Sequence, residues 1–239
     1  MNLLKHALEV LVDTESPHGL RAVACSGLVA ALENSLAVPP GTPMAVWNWI
    51  RETTPKHWNG AQFRLGEITD ADVFASALHA LRDPASGSEL QRIALDLLSG
   101  RAHAASIGDD ALRDLVDRPH VDPSGLAELI GSVHKGRTVP TELLLAVRDR
   151  WYASPLPGTR EAGVDVAALV SVPEPDFWST AARDSSEDVR FGVIQHLVRS
   201  TQTEFALEVV RVRLESERVI DVLDGLHRAM ATLLQRAPR

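Results

Sequence analysis

The stretch Leu20-Arg21-Ala22-Val23-Ala24-Cys25-Ser26-Gly27-Leu28 decides the fold class, because its apolar and small residues recur at helical spacing. They fall at relative positions 0, 3, 4, 7 and 8, the pattern of a helix with one buried face. Similar patterns begin at Leu90 and at Val189. The offsets between the copies divide into units of roughly 33 to 35 residues, a period typical of stacked helical hairpins. The sequence therefore predicts an all-α chain.

The same spacing predicts the positions of individual helices. A first hairpin is expected from helices at about residues 2–12 and 19–34, and another helix should open at Thr69-Asp70-Ala71-Asp72. The capping-box patterns Ser185–Asp188 and Thr201–Glu204 predict two more helix starts. Further helices are predicted at about 108–117, 123–134, 140–152 and 217–235.

One segment interrupts this rhythm. Pro39-Pro40-Gly41-Thr42-Pro43 is the strongest helix breaker in the chain, since proline removes backbone donors and fixes the backbone away from the helix interior. We expect one helical-repeat domain over residues 1–239, with an irregular segment rich in proline and tryptophan around residues 39–66.

The segment Asp184–Leu197 resembles a HEAT repeat, whose turn carries an aspartate and whose second helix opens with valine and arginine. The segments Asp83–Leu98 and Asp13–Leu28 are weaker copies. The resemblance implies a HEAT-like α-solenoid, a superhelical stack of antiparallel helix hairpins. It also implies that Asp184 and Arg190 join neighbouring repeats.

Composition and charge narrow the classes of partner. The chain has 239 residues, of which 45% are hydrophobic, and a net charge of −8 that opposes attraction to phosphate backbones. The charge therefore argues against nucleic acid as a partner. No apolar run approaches the length of a membrane span, so we expect a cytoplasmic protein that does not bind a membrane. Cys25 is the only cysteine, which excludes an internal disulfide.

A cluster of tryptophans and cations lies where the repeat pattern fails. Aromatic faces and cations together suit cation–π contacts or the binding of an acidic segment. Packing between irregular helices is the alternative role for such tryptophans. The candidate binding residues are Trp47, Trp49, Arg51, Lys56, His57, Trp58 and Arg64.

Motifs that would indicate catalysis or a cofactor are missing from the sequence. No two histidines have the spacing of four residues that places a metal-binding pair on one helix face, and we expect neither a metal nor a cofactor. Asp221 and Asp224 lie one helical turn apart, but Arg218 and Arg228 beside them favour a charged outer face. Arg213 and Glu217 are expected to pair on a solvated surface.

The predicted function is therefore that of a non-enzymatic scaffold or adaptor, which binds a protein or peptide on the concave surface of the stacked helices. The alternative is a HEAT-like DNA glycosylase acting on alkylated bases, a class that uses tryptophans and an aspartate around the base. Phe177-Trp178 and Asp184 resemble that arrangement faintly. A HEAT-like bilin lyase or isomerase is a third possibility, for which the sequence offers no specific residue.

Overall fold

All regular structure in the described part of the chain is helical. The computed structural model describes residues 2–53, 70–171 and 174–237, and these ranges contain no strand. The helices are α1 Asn2–Val12, α2 His18–Glu33, α3 Thr42–Thr53, α4 Ala71–Arg82, α5 Ser88–Leu98, α6 Arg101–Ala104, α7 Asp109–Val116, α8 Pro123–Gly136, α9 Thr141–Tyr152, α10 Pro157–Ala167, α11 Pro175–Ala181, α12 Glu187–Arg199, α13 Thr203–Leu214 and α14 Ile220–Arg236. The all-α prediction is confirmed over these residues.

The chain divides into two compact units, Met1–Thr138 and Val139–Arg239, where the sequence pattern suggested one repeat domain. In the first unit, α1 packs on α2, both contact α3, and α3 contacts α4. Helix α4 packs on α5, and α8 contacts α5, α6 and α7. Buried apolar side chains, including Leu28, Trp47, Ile50, Leu81 and Leu97, form its core.

The second unit has a regular contact pattern. Helix α10 packs on α9 and on α12, and α12 packs on α14. Helix α11 contacts α12 and α13, while α13 also packs on α14. Its core consists of residues such as Val164, Trp178, Val193, Leu197 and Leu226. Alternate helices of this unit therefore contact one another, in addition to their neighbours in sequence.

Part of the segment predicted to be irregular is in fact a helix. Helix α3 begins within the proline-rich cluster, directly after Gly41, which has a positive φ of 78°. Pro43 lies in the first turn of α3, where the missing backbone N–H has no helical partner to lose. The cluster thus opens a helix, because proline is tolerated at a helix start and not in its interior.

Helix starts follow local side-chain chemistry only in part. Asp70 caps α4 by accepting hydrogen bonds from the backbone N–H groups of Asp72 and Val73. At α12 and α13, by contrast, the residues at the cap positions, Ser186 and Gln202, make no side-chain capping bond.

Gly163 lies where the backbones of α9 and α10 approach closely. A Cβ atom at this position would lie 3.0 Å from the backbone nitrogen of Tyr152 and 3.2 Å from the backbone oxygen of Arg148. Both neighbours are backbone atoms of α9, so they cannot move aside by changing a rotamer.

We therefore expect Gly163→Ala to destabilise the protein by about 1–2 kcal/mol, because overpacking outweighs the gain in helix propensity. Thermal unfolding followed by circular dichroism would show this as a lower melting temperature. Gly158→Ala, in the same helix but with no atom within 4 Å of the added Cβ, is the matched control and should not lower it. Equal melting temperatures for the two variants would contradict the close-packing argument.

Candidate interaction surface

The two tryptophans described in the candidate binding cluster fill the core. The Trp47 side chain is 0% exposed, and that of Trp49 is 4% exposed. The Arg21 guanidinium carbon lies 4.3 Å from the centre of the Trp49 ring, and the His18 ring lies 4.9 Å from it. These contacts hold α2 against α3. Trp47 and Trp49 therefore pack between helices, the alternative role for these tryptophans, and do not offer exposed faces to a partner.

The other members of this cluster are differently placed. Arg51 is exposed and donates a hydrogen bond to Ser76 Oγ at 3.3 Å. Lys56, His57, Trp58 and Arg64 lie outside the described residues, so a binding role for the segment stays a prediction.

Arg190, which the repeat resemblance singled out, forms a buried ion pair. Its Nε and Nη2 atoms donate to the two carboxylate oxygens of Glu217 at 2.8 and 3.2 Å. Its Nη1 atom donates to the backbone oxygens of Asp184 and Ser185. The arginine on α12 is thereby bonded to the loop before its own helix and to the loop before α14.

Glu217 is the centre of this arrangement, and its side chain is only 1% exposed rather than solvated as expected. It also accepts hydrogen bonds from Arg213 and from the backbone N–H groups of Arg218 and Val219. Burial raises the pKa of Glu217, but the hydrogen bonds from Val219, Arg190 and Arg213 outweigh this effect and lower it to about 2. The carboxylate therefore stays charged at neutral pH.

Asp184 forms a second, part-buried ion pair, with Arg160 of α10. Arg160 donates to both carboxylate oxygens at 2.9 and 2.8 Å, and the backbone N–H of Ser186 donates to the same carboxylate. Burial, with the nearby charge of Asp184, raises the pKa of Tyr152 to about 12. Asp184 thus bonds to Arg160 of α10, and Arg190 bonds to Glu217 in the loop between α13 and α14.

A groove between α12 and α14 has a volume of about 430 Å³. Phe191 lines it and is 41% exposed, although Val189, Val193 and Leu197 of the same helix are buried in the core. A Cβ atom at Gly225 would lie 3.2 Å from the Phe191 ring, so the glycine lets the ring lie close to α14. We call this the α12–α14 groove; its lining includes Phe191, Ile194, Val198, Asp221, Asp224 and Gly225.

Carboxylates of three helices lie on or beside the surface of α12 and α14. Glu161 of α10 reaches α12, since its Cγ atom would lie 3.6 Å from a Cβ at Gly192. Burial, followed by the charges of Asp165 and Asp188, raises the pKa of Glu161, while His196 opposes this shift. We call the set the acidic face; it comprises Glu161, Asp165, Asp188, Asp221 and Asp224.

Two members of the acidic face have partners. Asp224 is bonded to Arg228, and Asp165 Oδ1 lies 2.7 Å from His196 Nε2. The predicted charged surface at Asp221 and Asp224 is therefore present, and it is one edge of the α12–α14 groove.

Sequence reasoning did not select this surface, although it contained a signal. Val189 and Val193 occupy the inward positions of α12. Phe191 lies about 200° around the helix from each of them and must point outward. An outward aromatic residue bordered by carboxylates was therefore visible in the pattern.

The residues quoted for the glycosylase alternative are engaged within the fold. Trp178 is 6% exposed and packs edge-on against Phe177, while Asp184 is bonded to Arg160. Neither side chain presents a free face to a base.

Three features bear on chemistry in the described ranges 2–53, 70–171 and 174–237: metal ligands, membrane-spanning helices and the cysteine thiol. No group of three metal-ligating side chains occurs there, and none of the helices there is long and apolar enough to cross a membrane. Cys25 is buried, and desolvation raises the pKa of its thiol to about 12.

Comparison with known proteins does not identify a family for this chain. No family model matches the chain, and no curated protein gives a significant match. Among solved structures it is similar to an engineered protein whose crystal structure was determined by the Northeast Structural Genomics Consortium. The two chains share 14% identity over 98% of each, with a TM-score of 0.40. A score this low does not establish a shared architecture.

The buried ion pair predicts a specific dependence of stability on pH. Because folding lowers the pKa of Glu217 from its ordinary value of 4.5 to about 2, its contribution is complete above pH 5 and is lost as the pH falls toward 2. We expect Glu217→Gln to cost about 3 kcal/mol at pH 7 and progressively less below pH 5.

Urea unfolding at constant ionic strength, at pH 7, 5 and 3, measures this difference. Asp224→Asn removes the exposed pair with Arg228 and is the matched control, with an expected cost below about 1 kcal/mol. Equal costs at pH 7 would contradict the assignment of Glu217 as a buried anchor.

Proposed function

We propose that this chain is a protein- or peptide-binding scaffold without catalytic activity, and that its second unit is a HEAT-like stack of three helix hairpins. The pairs are α9–α10, α11–α12 and α13–α14. The contacts from α10 to α12 and from α12 to α14 support an inner layer, and the contact between α11 and α13 supports an outer one. The proposed binding surface is the α12–α14 groove on this inner layer.

One observation carries the proposal: Phe191 is an aromatic side chain, 41% exposed, at a groove of about 430 Å³. Aromatic side chains are enriched among the residues that dominate binding energy at protein interfaces. The surrounding charged residues would form the polar rim that such interfaces have. Binding through this surface requires no catalytic group.

Peptides that bind the groove can be selected by phage display on the immobilised full chain. We expect the selected peptides, synthesised with a fluorescent label, to bind with a micromolar Kd in anisotropy titrations. Phe191→Ser should weaken this binding by about tenfold, as loss of an aromatic anchor does.

Leu234→Ser is the matched control, because Leu234 is 59% exposed on α14 and does not line the groove. Its affinity for the peptides should equal that of the unmodified chain. Circular dichroism would verify that both variants are folded. A selection without peptides, or peptides that bind Phe191→Ser equally well, would refute the proposal.

A further inference from the structure

The α12–α14 groove differs from an ordinary apolar groove in the charges that border it. Asp221 and Asp224 of α14 line the groove itself, while Asp188 of α12 and Glu161 of α10 belong to the acidic face beside it. Within the part of the chain that the structure describes, no salt bridge engages Glu161, Asp188 or Asp221. The basic residues beside them are Arg228, which is paired with Asp224, Arg199, which also lines the groove, His196, which is bonded to Asp165, and Arg218, which precedes Asp221 in the sequence.

This excess of negative charge is local and surrounds an aromatic ring. Asp188 lies one helical turn before Phe191. Glu161 lies against Gly192, the residue that follows Phe191 in the sequence. Asp221 lines the groove on the opposite side. Asp188 and Glu161 thus lie on one side of Phe191 and Asp221 on the other, and none of the three forms a salt bridge with another described residue.

We propose that the occupant of the α12–α14 groove is a basic, arginine- or lysine-containing segment of another protein. The inference rests on the proposed function, since it names the partner class of the same surface. A guanidinium or ammonium group can stack on the Phe191 ring, while its aliphatic stem covers the apolar floor of the groove. Neighbouring cations of the segment bond to Glu161, Asp188 and Asp221 as charge-assisted pairs.

The charge pattern also decides between classes of occupant. Nucleic acid presents phosphates, which the carboxylates of the acidic face repel. An acidic peptide is repelled in the same way. A purely apolar segment would leave the unpaired carboxylates partly desolvated without a partner, which costs free energy.

Two labelled 16-residue probes test the inference with the full chain in anisotropy titrations. One is an amphipathic peptide of arginine and leucine, and the other carries glutamate in place of every arginine. We expect the arginine peptide to bind and the glutamate peptide not to bind. The double variant Glu161→Gln, Asp188→Asn should weaken binding of the arginine peptide by about tenfold, with a smaller salt dependence.

A second double variant, with the same change in net charge, tests whether the arginine peptide binds only because the chain as a whole is acidic. Glu142→Gln, Glu204→Gln changes the net charge by the same amount on α9 and α13, at exposed residues outside the groove. It should alter the affinity by less than about twofold. Equal weakening by the two double variants, or binding of the glutamate peptide, would overturn the inference.

The phage selection shows whether only the basic character of the partner is wrong or whether the groove is not a binding surface at all. If selected peptides need Phe191 but are not basic and bind the Glu161→Gln, Asp188→Asn variant normally, the groove is a binding surface for another class. If no peptide depends on Phe191, both proposals fail.

Discussion

The second unit depends on one buried carboxylate, that of Glu217. It lies in the loop between α13 and α14, and it is bonded to Arg213 at the end of α13 and to Arg190 of α12. Its backbone donors are the N–H groups of Arg218 and Val219, the two residues directly before α14. A charge removed from water is tolerated only when such bonds surround it, so the three helix ends must meet in one geometry.

Arginine repeats this role elsewhere in the unit. Arg160 bonds α10 to the loop before α12 through Asp184, and Arg148 of α9 donates to Glu174, the residue before α11. The planar guanidinium suits these positions because it can bond several carbonyl and carboxylate oxygens at fixed angles. Of the 24 basic residues, 21 are arginine, and this chain places several of them at its helix connections.

The amino-acid pattern predicted what depends on local periodicity. The bounds of α1 and α9 follow from the helical spacing of their apolar residues to within a residue. Arg190 was singled out by the resemblance to a HEAT repeat instead. The pattern failed where tertiary context decides: α3 opens inside a proline cluster, and Glu217 is buried although its neighbours in sequence are polar. The burial of Trp47 and Trp49 could not be read from the pattern for the same reason, since it depends on how α2 and α3 pack.

The placement of the arginines also explains why the groove is bordered by negative charge. Arg160, Arg190 and Arg213 are directed into helix connections, where they pair with Asp184 and Glu217. These cations are therefore unable to neutralise the carboxylates on the surface of α10, α12 and α14. Burial, followed by the charges of Asp165 and Asp188, raises the pKa of Glu161, so keeping this carboxylate ionised costs free energy. A cationic partner would reduce this cost, so binding and the ionised form of Glu161 favour each other.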